Sequence, residues 1–202
     1  PATIYDFSEQ EYSDIMAWFN LAWFDPSWFK KNSQLKSLYS KGINYTLEDR
    51  RNIIQIQRQI IRDIIPLYKK FQESGQIEIS TSPYYHPILP LVIDSDSAKR
   101  AVPDINIPEG NFNLADDAAN QLKKGISKYN NVFGKSPKGL WSPEHCISPE
   151  SLKLMADMDI KWTITDEGIL SKTIGKEFIR DFRGYLEDPY EICRVYQVKA
   201  GI

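Results

Sequence analysis

Residues 138–165, KGLWSPEHCISPESLKLMADMDIKWTIT, contain the pattern that decides the fold. The run at 138–141 predicts a short strand, and the run at 161–165 predicts a second one. Between them, Ser148-Pro149-Glu150 predicts a helix start, because serine caps helices well and proline suits the first helical position. Two strands joined by a helix normally pair in parallel, so this segment predicts an α/β architecture.

Periodicity predicts further elements on both sides of this segment. The longest predicted helix covers 46–72, with Thr46 as its cap, a kink at Pro66 and a stop at Gly75. Its apolar stripe consists of Ile53, Ile56, Ile60, Ile64, Leu67, Tyr68 and Phe71. The other predicted elements are a helical stretch over 11–29 broken at Asp25-Pro26, strands at 76–80 and 192–198, and a helix from an Asn113 cap to Phe133 that ends at Gly134.

The predicted strands are separated by long helical stretches. This spacing favours part of a (β/α) barrel with long helical insertions over a compact doubly wound sheet. A closed barrel needs more strands than the four predicted here. We therefore expect residues 1–202 to form a single domain that is an excerpt of a longer barrel.

The composition excludes several classes of partner. A net charge of -2 gives no electrostatic case for nucleic acid or an anionic membrane, and no apolar run is long enough to cross a bilayer.

Cys146 and Cys193 form no CxxC pair, which favours free thiols in a reducing, cytoplasmic compartment. Five Trp and eleven Tyr residues are many for this length, and such rings serve as sugar platforms as well as core.

Polar side chains follow the predicted strands, where ligands bind in parallel α/β folds. The first strand contains Glu78 and leads to Tyr84-Tyr85-His86, the second leads through Trp141 to Glu144-His145, and the third leads to Asp166-Glu167. We expect one concave face at the strand ends to collect the side chains of Glu78, His86, Trp141, Glu144 and Asp166.

This combination of residues is typical of glycosidic cleavage, which needs two carboxyl groups that flank the scissile bond. Glu144 is the best candidate for the nucleophile, because it follows a strand and is flanked by Trp141 and His145. A carboxylate is also favoured simply as a solvated group before a helix. Asp166 and Glu167 have a similar alternative as turn residues, and His86 as an ordinary loop histidine.

A likeness to a known family rests on five segments in chain order, WFNLAWF (18–24), GQIEI (75–79), SPYYHPILPL (82–91), GLWSPE (139–144) and TDEG (165–168). Together they resemble glycoside hydrolase family 57. The resemblance implies a distorted (β/α)7 barrel and a retaining mechanism on α-glucans, with Glu144 as nucleophile and with no metal or cofactor. The residues expected to bind the glucan are Glu78, Tyr85, His86, Trp141 and Asp166.

Two motifs of that family are missing from the chain. One is an early His-Gln-Pro, and the other is the Asp-Gly-Glu-like run that supplies the general acid. We therefore expect the acid to lie beyond the C-terminus of this chain, in the rest of a parent enzyme. The isolated chain is then expected to be inactive or weakly active on α-glucans.

Two alternatives remain at this point. A metal-dependent carbohydrate deacetylase would use His86, His145 and Asp166 as ligands. A non-catalytic glucan-binding module would use the same aromatic cleft without a proton donor. Metal dependence would identify the deacetylase, and covalent trapping of a sugar on Glu144 would exclude the binding module.

Overall fold

The structure of this chain is a computed structural model that describes residues 6–199. In this range the helices are α1 (Glu9–Leu21), α2 (Pro26–Lys31), α3 (Ser33–Lys41), α4 (Leu47–Glu73), α5 (Leu89–Ile93), α6 (Ala98–Ala101), α7 (Ala115–Phe133), α8 (Pro149–Asp157) and α9 (Glu167–Ile174). Two strands are present in the same range, β1 (Gly139–Trp141) and β2 (Trp162–Ile164). Single 3-10 turns cover Ser95–Ser97 and Pro143–His145.

The chain folds as two compact units, one that ends at Ile77 and one that begins at Glu78. The first unit contains α1–α4, and the second contains the remaining helices and both strands. That residues 1–202 form a single domain stays a prediction.

The first unit is a helical cluster around a small apolar core. Its fully buried side chains include Leu21, Leu35, Tyr45 and Ile53. The Tyr45 hydroxyl donates a hydrogen bond of 2.9 Å to the carbonyl of Leu38, so the phenol is buried with its polar atom satisfied. The core therefore joins the helices to the loop that carries Tyr45.

Helix α4 confirms the longest predicted helix. Thr46 and Asp49 form a capping box at its start, and the helix continues through Pro66 to Glu73. The predicted apolar stripe is only half buried, because Ile53 lies in the core whereas Leu67 and Tyr68 are 50% and 49% exposed. No helix in residues 6–199 is both long enough and apolar enough to cross a membrane.

The second unit has its own core between α5, α7, α8 and β1. Its buried side chains include Leu89, Leu122, Leu140 and Met155. Helix α8 begins as predicted, with Ser148 as its cap and Pro149 at the first position. Met155 turns inward, and Leu152 and Met158 pack against the same cluster, which confirms the predicted core face of this helix.

The sheet is small and parallel. Strands β1 and β2 pair in parallel with Gly139 opposite Trp162, Leu140 opposite Thr163 and Trp141 opposite Ile164. On the other edge of β1, Thr81 forms a parallel bridge to Leu140. The α/β prediction with parallel strands is confirmed in this two-stranded form.

Two predicted strands are wrong. Residues 76–80 lie in irregular backbone, and the chain meets β1 only at Thr81. Residues 192–198 form turns and irregular structure, with Val195 98% exposed. Both segments have strand-like composition, but a strand also needs a neighbour that takes up its backbone hydrogen bonds. Among the described residues, no neighbour pairs with either segment as a ladder.

One predicted helix start differs from the structure. Helix α7 begins at Ala115 after Leu114, which makes no side-chain capping bond, so the predicted Asn113 cap is wrong. The predicted end of that helix is confirmed, because Gly134 takes the left-handed conformation with φ of 74°.

Helix α7 approaches the 82–85 segment unusually closely. A Cβ atom on Gly125 would lie 2.4 Å from the carbonyl oxygen of Ser82. The backbone of Tyr84 donates to the carbonyl of Gln121 at 3.1 Å, and that of Tyr85 donates to the Gln121 side chain at 2.9 Å. The 82–85 segment is therefore attached directly to the surface of α7.

Replacing Gly125 by alanine tests this contact. We expect Gly125→Ala to destabilise the fold by about 1–3 kcal/mol, because backbone must move to relieve the clash. Alanine is the better helix former by about 1 kcal/mol, so Gly125→Ala would stabilise the fold if there were room for the Cβ atom. Ser127→Ala, at an exposed site on the same helix, is the control and should be neutral or stabilising. Urea denaturation measures both, and a stabilised Gly125→Ala variant would contradict the contact.

A bidentate ion pair joins α6 to the start of α8. Arg100 donates from both terminal nitrogens to the two carboxylate oxygens of Glu150, each at 2.8 Å. These hydrogen bonds hold the pKa of Glu150 at about 2, below its ordinary value of 4.5. Both side chains are about half exposed, so solvent weakens the contribution to stability.

This pair predicts a specific pH dependence. Since the folded pKa is lowered, the stabilisation is fully present above about pH 4.5 and is lost as the pH falls towards about 2. We expect Glu150→Gln to lower the free energy of unfolding by up to about 1 kcal/mol at pH 7 and to have no effect below pH 2. Urea titrations of the wild type, Glu150→Gln, Arg100→Gln and the double variant measure the coupling. A coupling independent of pH would contradict the assignment.

Candidate active site

Glu144 lies on a tight turn directly after β1. The buried hydroxyl of Ser142 donates to the carbonyl of Cys146 at 2.5 Å, and the His145 amide donates to the carbonyl of Ser142 at 2.9 Å. Thr165, just past β2, donates from its hydroxyl to the carbonyl of His145 at 2.9 Å. The turn is thus fixed both internally and to the neighbouring strand.

The backbone around this turn is strained. Glu144 and His145 have φ of 53° and 57°, and His86 also has φ of 57°. Among the described residues, these are three of the five non-glycine positions with positive φ. The left-handed region costs about 1 kcal/mol or more for a residue with a Cβ atom. Strain of this kind often accumulates at functional sites.

The side chains of His86, Trp141 and Glu144 come together at this place. The Nε2 atom of His86 lies 3.7 Å from Oε1 of Glu144. The ring centroid of Trp141 lies 5.0 Å from that of His86 and 5.9 Å from that of His145. The Glu144 side chain is 72% exposed. The result is a solvent-accessible carboxylate near the His86 imidazole, and the Trp141 indole packs between the two histidine rings, so that groups able to bind a sugar and attack it are close together.

The histidine is held by the 82–86 segment. The hydroxyl of Ser82 lies 3.4 Å from Nδ1 of His86, and the His86 amide donates to the carbonyl of Pro83 at 3.1 Å. Tyr85 is 73% exposed, and its ring packs against Tyr84 with centroids 4.8 Å apart. Sequence reasoning missed Ser82, because a serine beside a proline has no signature of its own.

Glu78 has a different neighbour. Its Oε1 atom accepts a hydrogen bond of 2.7 Å from the indole of Trp162, whose ring lies where a Cβ atom on Gly139 would be. Thr81 is the residue that pairs with Leu140, so Glu78 precedes the strand pairing whereas Glu144 follows it. The structure therefore does not bring Glu78 to His86 and Glu144, and its role in substrate binding stays a prediction.

Asp166 and Glu167 have structural partners. Asp166 caps α9 by accepting from the amide of Ile169 at 2.8 Å, and Glu167 forms an ion pair with Arg180. Burial raises the pKa of the Cys146 thiol, and the negative charges of Asp166 and Glu144 raise it further. Asp166 therefore lies close enough to Cys146, at the end of the Glu144 turn, to act on its thiol.

The ligand set of the deacetylase alternative is not assembled. Within residues 6–199, no group of three or more His, Cys, Asp or Glu side chains is placed to hold a metal ion. His86, His145 and Asp166 therefore do not form a metal centre in this arrangement.

Comparison with known proteins identifies the family. The sequence profile of glycosyl hydrolase family 57 matches residues 3–202. The chain belongs to this family. The resemblance found in the sequence motifs is therefore confirmed over almost the whole chain.

Two curated relatives match part of the chain. A 1,4-alpha-glucan branching enzyme of Thermococcus kodakarensis is 30% identical over 109 residues, which cover 54% of this chain and 13% of that enzyme. Alpha-amylase 1 of Dictyoglomus thermophilum is 27% identical over 124 residues, which cover 58% of this chain and 15% of that protein. The matched region is thus a small part of each relative.

Solved structures also match the chain. The alpha-amylase AmyC of Thermotoga maritima has a TM-score of 0.47 and 18% identity, and the match covers 89% of this chain and 31% of AmyC. The GH57-type branching enzyme of Pyrococcus horikoshii has a TM-score of 0.44 and 16% identity, with coverage of 88% and 31%.

The strain at Glu144 can be measured directly. We expect Glu144→Gly to be more stable than Glu144→Ala by about 1 kcal/mol, because glycine adopts positive φ without a steric penalty. The matched control is Lys153, an exposed position inside α8, where alanine should be the more stable by about 1 kcal/mol. Thermal or urea unfolding of the four variants gives both differences. Equal stability of the two Glu144 variants would show that the backbone there is relaxed.

Proposed function

We propose that this chain is part of the catalytic barrel of a retaining enzyme that acts on α-glucosidic bonds of α-glucans, with Glu144 as the nucleophile. The observation that carries the proposal is the exposed Glu144 carboxylate on a strained turn, 3.7 Å from His86, whose ring packs against Trp141. Membership of glycosyl hydrolase family 57 supports the reaction class. The relatives named alpha-amylase and 1,4-alpha-glucan branching enzyme support an α-glucan substrate.

The proposed fold is a (β/α)7 barrel completed by the parent enzyme. The order Thr81, β1, β2 provides three neighbouring parallel segments, which would form one part of the barrel wall. Parallel strands direct the residues that follow them to the same end of a sheet. The 82–86 segment, the Glu144 turn and Asp166 all follow such pairing and would border the glucan.

In the proposed reaction, a pyranose packs its C–H face on the indole of Trp141. One oxygen of Glu144 attacks the anomeric carbon on the face opposite the leaving group and forms a glycosyl ester. The other proposed substrate contacts at this end of the strands are Tyr85, His86 and Asp166. A role for Glu78 in substrate binding stays a prediction, because Glu78 precedes the strand pairing. The reaction needs no metal or cofactor.

The general acid is proposed to come from another part of the parent enzyme. Retaining cleavage needs an acid whose carboxyl group lies about 5–5.5 Å from that of the nucleophile. Asp166 and Glu167 are the carboxylates that follow β2, and each is already engaged in capping α9 or in pairing with Arg180. Protonation would weaken the Asp166 cap or the Glu167–Arg180 ion pair, which argues against either side chain as the general acid.

A glucan-binding role without cleavage is the second candidate. It is favoured by the exposure of Glu144 and by the structural partners of Asp166 and Glu167. The two candidates differ in one respect, since only the enzyme forms a covalent bond between sugar and Glu144.

Assays on starch and on an activated substrate test the proposal. We expect negligible starch hydrolysis by this chain, because a general acid contributes about 10²–10⁴ in rate. An α-glucosyl fluoride barely needs leaving-group protonation, so it should glycosylate Glu144 slowly. Mass spectrometry of the trapped ester measures this, and Glu144→Gln should abolish it.

The control for this experiment is Glu150→Gln, which lies on α8 outside the site and should be labelled like the wild type. Glucan binding without any ester at Glu144 would favour the binding module. Starch hydrolysis that is lost on Asp166→Asn would place the general acid inside this chain.

A further inference from the structure

Among the described residues, one basic side chain lies within 4.0 Å of the Glu144 carboxylate, that of His86, with Nε2 and Oε1 3.7 Å apart. The glutamate side chain is otherwise exposed and has several rotatable bonds. A nucleophile gains much of its rate from a fixed orientation towards the reacting carbon. A contact that fixes one oxygen of the Glu144 carboxylate therefore also orients the other oxygen towards the carbon that it attacks.

The two nitrogens of His86 face two different groups. Nδ1 lies 3.4 Å from the hydroxyl of Ser82, which can either donate or accept a hydrogen bond. Nε2 faces a carboxylate, which only accepts when it is ionised. A lone pair on Nε2 would repel that carboxylate, so the arrangement favours a proton on Nε2 and a donating Ser82 hydroxyl when the ring is neutral.

Packing and backbone contacts fix the position of His86. Its ring packs against Trp141, with centroids 5.0 Å apart. The segment before it is attached to α7, because Gln121 accepts from Tyr84 and Tyr85 and because Gly125 allows the Ser82 carbonyl to approach. The backbone of His86 has a φ of 57°, and its amide donates to the carbonyl of Pro83 at 3.1 Å, which closes the tight turn at 83–86.

We propose that His86 is a positioning residue for the nucleophile Glu144 and that Ser82 selects its tautomer. This inference rests on the function proposed above. The Nε2–H group of His86 holds one oxygen of Glu144 and leaves the other to attack the anomeric carbon. The present 3.7 Å contracts to hydrogen-bond length when substrate fills the site, as catalytic contacts commonly do.

The step is balanced without a further reagent. The bond from Glu144 oxygen to the anomeric carbon forms as the bond to the leaving group breaks, and the leaving group departs with the electron pair. Fluoride needs no proton for this, whereas a sugar oxygen takes one from the general acid. His86 keeps its proton throughout and continues to donate to the carbonyl oxygen of the new ester.

Two substitutions at His86 test the roles of its two ring nitrogens separately. Glutamine places an amide nitrogen near the position of Nε2, and asparagine places one near Nδ1. Asparagine tolerates positive φ better than most residues, so His86→Asn should fold at least as stably as His86→Gln. A loss of function in His86→Asn therefore cannot be attributed to a destabilised fold.

Labelling by α-glucosyl fluoride gives the functional readout. We expect the maximal rate of ester formation on Glu144 to fall by about 10- to 100-fold in His86→Asn, with a smaller change in the half-saturating concentration. His86→Gln should retain most of the rate, because it keeps the donor towards Glu144. Wild-type labelling by His86→Asn would overturn the inference.

Nuclear magnetic resonance gives a readout that does not depend on catalysis. The chain has two histidines, so long-range proton–nitrogen spectra contain two imidazoles, and His145→Gln assigns them. We expect neutral His86 to carry its proton on Nε2 in the wild type, and we expect this preference to weaken in Ser82→Ala, which removes the hydroxyl that donates to Nδ1. A proton on Nδ1 in the wild type would overturn the inference. No labelling of Glu144 in the wild type, with the Nε2 proton present, would refute the proposed function while supporting the contact.

Discussion

The second unit depends on the parallel pairing of Leu140 with two neighbours. Leu140 is fully buried, and it lies opposite Thr81 on one edge of β1 and opposite Thr163 on the other. Parallel pairing means that the chain leaves all three positions in the same direction. The 82–86 segment, the Glu144 turn and Thr165 are neighbours for that reason, although they are far apart in sequence. A change of register at Leu140 would separate them.

The site shows how a strained conformation can persist. Glu144 and His145 adopt positive φ because Ser142 closes the turn and Thr165 ties it to β2. The buried side chains of Leu140 and Pro143 anchor the chain that leads into the turn. Each hydrogen bond contributes about 1 kcal/mol, which is similar to the cost of one left-handed residue. The turn is therefore stable only as part of the packed second unit.

Sequence signals predicted the elements whose determinants are local. The capping box at Thr46, the Ser148-Pro149 helix start and the glycine at 134 act within a few residues, so they are visible in the chain. Strands depend on a distant partner, and residues 76–80 and 192–198 have strand-like composition without one. In the site, strand-end chemistry indicated His86, Trp141 and Glu144. The register of Thr81, the sign of φ at Glu144 and the contact with Ser82 have no local signature.

The acidic side chains near the strands differ in their interaction partners. Glu78 accepts from Trp162, Asp166 caps α9, and Glu167 pairs with Arg180. Each of these interactions stabilises the local fold. Among the described residues Glu144 makes no comparable contribution, since its side chain is 72% exposed, its backbone is strained and its carboxylate lies 3.7 Å from an imidazole. Stability alone would favour glycine at this position. A glutamate with this geometry is best explained by the chemistry of its carboxylate, which is the basis on which it is proposed as the nucleophile.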